Sequence, residues 1–164
     1  VEFVHRWCGW TKSVSAQAET FTKNRSLSDS KGTGPVERPD TVNILAEMES
    51  GATAVYMFSG SAHFASSERL EIYGTEGTLV YKTAVNVMDQ RILGAKVSEV
   101  DLKELEIPSS EERAWTVEKD FIEMITNGKP AESTFYQGVK YMEFTEAVFK
   151  SVQLGSKVTL PIVN

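Results

Sequence analysis

Cysteine and histidine are scarce in this 164-residue chain, which has one cysteine, Cys8, and two histidines, His5 and His63. A single thiol excludes a framework of disulfide bonds within the chain. It is also typical of a protein from a reducing compartment, so we expect a cytoplasmic location. One thiol and two imidazoles are too few for the four ligands of a structural zinc site, so we expect no metal.

Positive charge and long apolar runs are lacking as well. The net charge is −6, and no cluster of Lys and Arg interrupts the acidic pattern, which argues against binding to the phosphates of nucleic acid. No apolar run approaches the ~20 residues of a membrane-spanning helix, and the first residues do not resemble a signal peptide. The sequence starts at Val1 rather than Met, within a helical pattern, so we expect it to begin inside a larger protein.

Strand patterns come first along the chain. A helical stub, Glu2 to Cys8, precedes a strand over Ser13 to Thr22 and a long polar loop over Lys23 to Pro39. Short turns at Ser50–Gly51 and at Gly74–Gly77, whose glycines can take positive φ, then join pairs of strand-like runs. Such short connections are typical of antiparallel sheets. Further strands are expected over Val85–Lys96, Val100–Ile107 and Lys157–Val163.

Two helix patterns follow the strands. Ser109 with Glu112, and Thr134 with Gln137, have the spacing of a capping box, and Gly155 is placed to end the second helix. Strands first and helices late predict an α+β fold: an open, mostly antiparallel sheet with helices packed on one face.

Helices on one face leave the other face of the sheet open. Apolar residues point to both faces of the strand that includes Val55 to Phe58, so the open face is expected to be apolar. Exposed apolar surface of this kind marks a contact with another molecule. We therefore expect a homo-oligomer through this face, most simply a dimer with a twofold axis.

The run from Leu70 to Leu79 resembles a strand–turn–strand signature of the C-terminal domain of the GFO/IDH/MocA family, named after glucose–fructose oxidoreductase and inositol dehydrogenase. Other pieces similar to that domain follow in the family's order along nearly the whole chain. They are Trp7–Gly9, Glu49–Ala52, Phe121–Ile122, Asn127–Gly128, Ala147–Ser151 and Gly155–Pro161. Each piece is short, and the specificity lies in the ordered set.

The resemblance implies the substrate-binding and dimerisation domain of an NAD- or NADP-dependent dehydrogenase that acts on a sugar, inositol or related polyol. In this family a Rossmann domain comes first, and a Lys in a Glu-Lys-Pro motif and a His upstream of the position of Trp7 usually assist proton transfer. This sequence has no Gly-x-Gly-x-x-Gly after a strand, and Gly128 rather than Glu precedes Lys129. We therefore expect residues 1–164 to form the C-terminal domain alone, with no cofactor site and no catalytic activity of its own.

The candidates for substrate contact are Ser61, His63 and Phe64. By the resemblance, their loop approaches the substrate cleft, where hydroxyl and imidazole groups can bind a polyol and an aromatic ring can cover the apolar face of a sugar. An exposed loop with an incidental histidine is the alternative. Arg38 and Asp40 flank a proline before a strand, and they either order the long loop or contact substrate.

Two further residues, His5 and Trp115, and two further functions are compatible with the sequence. His5 suits acid–base chemistry by its ordinary pKa, but it and Trp115 fit better as packing residues. A non-enzymatic binding or scaffold module of the same fold is the main alternative function. An independent α+β ligand-binding domain is disfavoured because the helices come late and together.

Overall fold

The computed structural model of the chain describes residues 1–28, 32–65, 68–83, 90–112, 116–130 and 133–162. The chain forms two compact units. One comprises Val1–Ala62 with Glu118–Asn164, and the other is His63–Val117. Over the described ranges, no helix combines the length and the apolar character that crossing a membrane requires.

The first unit is built on a four-stranded antiparallel sheet. Its strands, in order across the sheet, are β10 (Val158–Thr159), β1 (Thr11–Glu19), β4 (Thr41–Met48) and β5 (Thr53–Ser59). Gly51 in the turn between β4 and β5 has a φ of 87°, a conformation that favours glycine. The predicted hairpin at Ser50–Gly51 is therefore confirmed.

A short hairpin lies along the chain between β1 and β4. It consists of β2 (Asn24–Ser26) and β3 (Thr33–Pro35), which pair antiparallel with Arg25 opposite Gly34. The sequence had predicted a loop over Lys23 to Pro39. The composition does not predict the hairpin, because neither short strand has the alternating apolar face by which strands are recognised.

One face of the four-stranded sheet, which we call the inner face, forms the core of the first unit. Side chains alternate between faces along a strand, so Ile44, Ala46 and Met48 of β4 all point to the inner face. Each of the three is at most 5% exposed. Val14 of β1 and Tyr56 of β5 are buried on the same face.

Two helices cover the inner face, and only the second of them is one of the two late helices that the sequence predicts there. They are α1 (Glu2–Cys8) and α3 (Phe135–Leu154). α3 packs along β1 and buries Phe144 and Ala147, which are 2% and 0% exposed. α1 adds His5, whose ring packs edge-on against that of Phe144.

The ends of α3 agree with the sequence signals. The Thr134 hydroxyl accepts the backbone N–H of Gln137, and the Gln137 side chain accepts the backbone N–H of Thr134, so this capping box is confirmed. Gly155 ends the helix in the left-handed conformation. The box predicted at Ser109 is wrong, because the chain turns there and α2 spans Val117–Asn127. Within α2 no residue is buried.

The second unit is a four-stranded antiparallel sheet whose strands lie in chain order. They are β6 (Arg69–Tyr73), β7 (Gly77–Thr83), β8 (Gln90–Lys96) and β9 (Lys103–Glu104). A Cβ atom on Gly77 would lie 2.4 Å from the carbonyl oxygen of Ala95, so close approach of β8 requires glycine there. The positive φ expected for Gly74 and Gly77 is wrong, since neither adopts it.

The α+β class and the antiparallel pairing are thus confirmed. Several strand limits differ from the prediction. β1 begins and ends earlier than the predicted Ser13 to Thr22, and the strand expected over Val100 to Ile107 shrinks to β9. Residues 85–89 of another predicted strand, and Trp115, lie outside the described residues.

Candidate functional site

Asp40 orders the chain where β1 ends and β4 begins. Its carboxylate accepts the backbone N–H groups of Phe21 at 3.1 Å and Thr22 at 2.7 Å, and the hydroxyl of Thr41 at 3.2 Å. These donors, first the Thr22 N–H, hold the pKa of the Asp40 carboxyl below its usual range. Of the two roles left open for Asp40, these contacts supply the ordering of the loop.

Three hydroxyl groups form a triangle beside Asp40. The Oγ1 atom of Thr41 lies 3.0 Å from Oγ of Ser59 and 3.2 Å from Oγ of Ser61, and the two serine oxygens are 3.2 Å apart. Thr41 and Ser59 are opposite each other in the sheet, on the face turned away from the buried Tyr56. The triangle therefore links Ser61 to Asp40 through Thr41, and it lies on the open face, which we call the outer face.

The other sequence candidates are not drawn into this cluster. Arg38 is exposed and forms no hydrogen bond or ion pair with the residues that the structure describes. His63 and Phe64 belong to the second unit, and both are exposed. Phe64 has a φ of 59°, which is uncommon for a residue other than glycine.

His5 is a packing residue of the inner face rather than an accessible base. Its Nε2 atom lies 2.8 Å from the hydroxyl of Thr11, and its ring contacts those of Trp10, Tyr141 and Phe144. Burial lowers the pKa of His5 to about 4. The imidazole is therefore neutral at physiological pH.

One group of residues at the end of β5 is not among the candidates that the sequence indicates. Phe58 and Gly60 follow Tyr56 at alternate positions, so all three face the inner side of the sheet. Phe58 remains 49% exposed. The Nη2 atom of Arg25 lies 3.7 Å from the position that a Cβ atom on Gly60 would occupy. We call Arg25, Phe58 and Gly60 the inner-face shelf; the alternation could have placed Phe58 there, but no local signal pointed to Arg25.

The outer face carries an apolar patch. Leu45 and Val55 are paired across β4 and β5, and they are 62% and 78% exposed; Met57 beside them is 71% exposed. At one edge the Glu47 carboxylate accepts Nζ of Lys157 at 2.7 Å, which lowers the pKa of Glu47. An apolar centre with a charged edge is the composition of a protein–protein contact.

A groove of about 560 Å³ lies in the second unit beside the turn between β6 and β7. Aliphatic side chains such as Leu79 and Leu105 line it. At its rim, Glu99 accepts the backbone N–H of Lys96 at 2.8 Å and Nζ of Lys103 at 2.9 Å, so these charges satisfy one another. Over the described part of the chain, no three His, Cys, Asp or Glu side chains are grouped to hold a metal ion. We assign this groove no chemistry.

The glycine turns do not fit a dinucleotide. A pyrophosphate cradle needs a glycine-rich turn between a strand and the first turn of a helix. The turn from Gly74 to Gly77 instead joins β6 to β7, and Gly34 lies within β3. A Cβ atom on Gly34 would lie 2.8 Å from Leu27 Cδ2, so packing accounts for that glycine.

The chain matches a family model described as the GFO/IDH/MocA C-terminal domain over residues 1–80. This match confirms the resemblance inferred from the run Leu70 to Leu79 and its companions. Among curated protein sequences, none matches the chain.

Solved structures share the fold over almost the whole chain. A levoglucosan dehydrogenase in complex with NADH and levoglucosan is 20% identical with a TM-score of 0.80, covering 99% of this chain and 48% of that chain. An NAD-binding oxidoreductase from Klebsiella pneumoniae is 19% identical with a TM-score of 0.79, covering 98% and 48%. The WlbA dehydrogenase from Bordetella pertussis, in complex with NADH and UDP-GlcNAcA, is 17% identical with a TM-score of 0.68, covering 99% and 44%. At these identities the likeness establishes the fold, and the chain spans less than half the length of each structure.

Proposed function

We propose that this chain, whose residues 1–80 match the model of the GFO/IDH/MocA C-terminal domain, is the substrate-binding and dimerisation domain of an NAD(P)-dependent oxidoreductase that acts on a sugar, inositol or related polyol. The observation that carries the proposal is the fold match over 98–99% of the chain to dehydrogenases whose structures contain NADH. The free Cys8 supports a cytoplasmic location as part of the same proposal.

In this proposal the cofactor is held by a dinucleotide-binding domain outside residues 1–164. The glycine turns described above do not fit a pyrophosphate, so the isolated chain is expected to bind NAD(H) and NADP(H) negligibly in calorimetry. Tight binding of either dinucleotide at one per chain would contradict the assignment of this domain.

The substrate is proposed to bind at the end of the first unit's sheet, where Ser61 follows β5 and where Arg38 and Asp40 precede β4. His63 and Phe64 belong to the second unit and are proposed as substrate contacts by their place in the sequence. The hydroxyl triangle and the saturated Asp40 carboxylate support a rigid strand end, which polyol recognition needs. In this arrangement Asp40 is a positioning residue, because its oxygens are already engaged by the chain itself.

The outer face is proposed as the dimer contact. Leu45, Val55 and Met57 expose a contiguous apolar surface, and burying it against a second copy removes that surface from water. Light scattering should give twice the chain mass for the wild type and for the control Val97→Lys, an exposed valine of the second unit, but the monomer mass for Val55→Lys. A wild-type monomer at micromolar concentration would count against this contact.

Activity tests the proposal as a whole. The protein that joins this chain to a dinucleotide-binding domain, as in the longer relatives, should form NADH or NADPH from NAD or NADP when offered a panel of sugars and inositols. Substitution of Ser61 or His63 by Ala should raise KM for the active substrate. Formation of a stable dimer without turnover of any polyol would favour the scaffold alternative instead.

A further inference from the structure

We propose that the inner-face shelf selects a substrate with an anionic group, so that Arg25 is a specificity-determining residue and Phe58 a stacking platform for a sugar bearing a carboxylate or a phosphate. This inference rests on the proposed function, since it names the substrate class for the end of the sheet assigned to substrate. It adds two residues, Arg25 and Phe58, that the sequence did not single out.

The ladder geometry places these residues on one side of the sheet. The backbone N–H of Gly60 donates to the carbonyl of Asp40 at 2.7 Å, so the pairing of β4 with β5 continues one step beyond Ser59. Because side chains alternate between faces, Gly60 lies on the same side of the sheet as Phe58. Gly60 has no side chain, so the Arg25 guanidinium can lie 3.7 Å from the position that a Cβ atom on Gly60 would occupy.

Phe58 supplies a fixed apolar surface on the same side of the sheet, two residues before Gly60. Its ring stacks on that of Tyr56 with 6.1 Å between centroids, and Tyr56 packs in turn on Phe144 at 5.4 Å. The aromatic row therefore runs from the buried core to the half-exposed Phe58. A ring held in this way can cover the apolar face of a sugar without losing much conformational entropy.

The backbone of Arg25 is held from both directions. Asp40 fixes the chain before it through the amides of residues 21 and 22, and β3 pairs with it through Gly34. A third tie is the N–H of Val36, which donates to the carbonyl of Lys23 at 2.9 Å. The hairpin is therefore ordered next to Gly60, and preorganisation of this kind is what a specificity residue requires.

The charge of Arg25 is available to a ligand. Among the described residues the side chain of Arg25 forms no hydrogen bond or ion pair, and the Asp40 carboxylate is already occupied by three other donors. A planar guanidinium binds carboxylate and phosphate through paired hydrogen bonds, and lysine does not reproduce this geometry. The chain carries a net charge of −6, so an anion that binds here is held by local geometry rather than by general attraction.

The test is a titration of the isotope-labelled chain followed by backbone amide shifts of residues 58–61. The ligands are glucose, glucuronate, glucose 6-phosphate and acetate. Glucuronate, glucose 6-phosphate or both should bind at least ten-fold more tightly than glucose, and acetate more weakly than any sugar. Which anionic sugar binds more tightly identifies the carboxylate or the phosphate as the preferred group.

Variants separate this inference from the proposed function. Arg25→Gln should reduce binding of the anionic sugars to the level of glucose, Arg25→Lys should restore only part of it, and Phe58→Ala should weaken all sugars together. Arg6→Gln, an exposed arginine of α1, should change nothing. Equal binding of glucose and both anionic sugars, or an unaltered preference in Arg25→Gln, would overturn the anionic class and leave the domain assignment standing. Absence of shifts with every sugar would overturn the proposed substrate role itself.

Discussion

Replacing Ser151 with alanine removes a single hydroxyl group from the contact between α3 and β1. Ser151 is 1% exposed. Its Oγ atom accepts the backbone N–H of Ala16 at 2.9 Å and donates to the carbonyl of Ser156 at 2.7 Å. β10 pairs with β1 only as far as Val14, so the Ala16 N–H depends on this side chain for a partner on that edge.

The loss of folding stability in Ser151→Ala can be estimated for each hydrogen bond in turn. Leaving a buried N–H without a partner costs about 1–3 kcal/mol, and the bond to the more exposed Ser156 carbonyl contributes about 0.5–1 kcal/mol. Ser151→Ala should therefore lower the free energy of unfolding by about 2–3 kcal/mol. With a urea m-value of roughly 2 kcal/mol per molar, the midpoint should fall by about 1 M.

Urea unfolding followed by circular dichroism measures this change, and hydrogen exchange of the Ala16 amide locates it. Thr145→Ala is the matched control, because within the described ranges that hydroxyl donates only to the Tyr141 carbonyl, on the exposed side of the same helix. The control should change the stability by less than about 0.5 kcal/mol. A Ser151→Ala chain as stable as the control, with the Ala16 amide equally protected, would refute the reasoning.

Three further results are expected. Burial lowers the folded-state pKa of His5 to about 4, so the unfolded chain takes up a proton at a higher pH than the folded chain does. The free energy of unfolding should therefore fall by at most about 3 kcal/mol as the pH drops from ~6.5 toward 4. Urea unfolding across that pH range measures this change. Gly77→Ala should lower the free energy of unfolding by about 2 kcal/mol or more, because the new Cβ atom would clash with a backbone carbonyl. Gly138→Ala is the control: this glycine lies in a helix with open space around its Cβ position, so the substitution should raise the free energy of unfolding by roughly 0.5–1 kcal/mol. Thermal or urea unfolding measures both. Asp40→Asn should speed hydrogen exchange of the amides of residues 21 and 22, while Asp101→Asn on the surface should not; unchanged protection in Asp40→Asn would show that the loop is ordered by other contacts.

Part of this fold could be predicted from the sequence, because it depends on local interactions. The capping box of Thr134 and Gln137, the left-handed Gly155 and the turn at Gly51 each depend on residues within a few positions of one another. The division of the strands into separate sheets could not be read in this way. Hairpin-linked strands look alike locally, and only packing between distant segments decides which of them share a sheet.

The same distinction explains why the sequence indicates Asp40 and Ser61 as candidates but does not indicate the inner-face shelf. Asp40 and Ser61 adjoin strands that the pattern predicts, so their position at a strand end follows from the chain itself. Arg25 reaches Gly60 because the hairpin, whose short strands have no apolar face, is held by the Asp40 carboxylate, which comes later in the sequence. Alternation within β5 puts Phe58 on the inner face with Arg25, whereas the hydroxyl triangle holds Ser61 on the outer face. The proposed dimer contact uses the apolar residues Leu45, Val55 and Met57 of the outer face, so the strand end that carries both Ser61 and the inner-face shelf is proposed to stay open to a substrate.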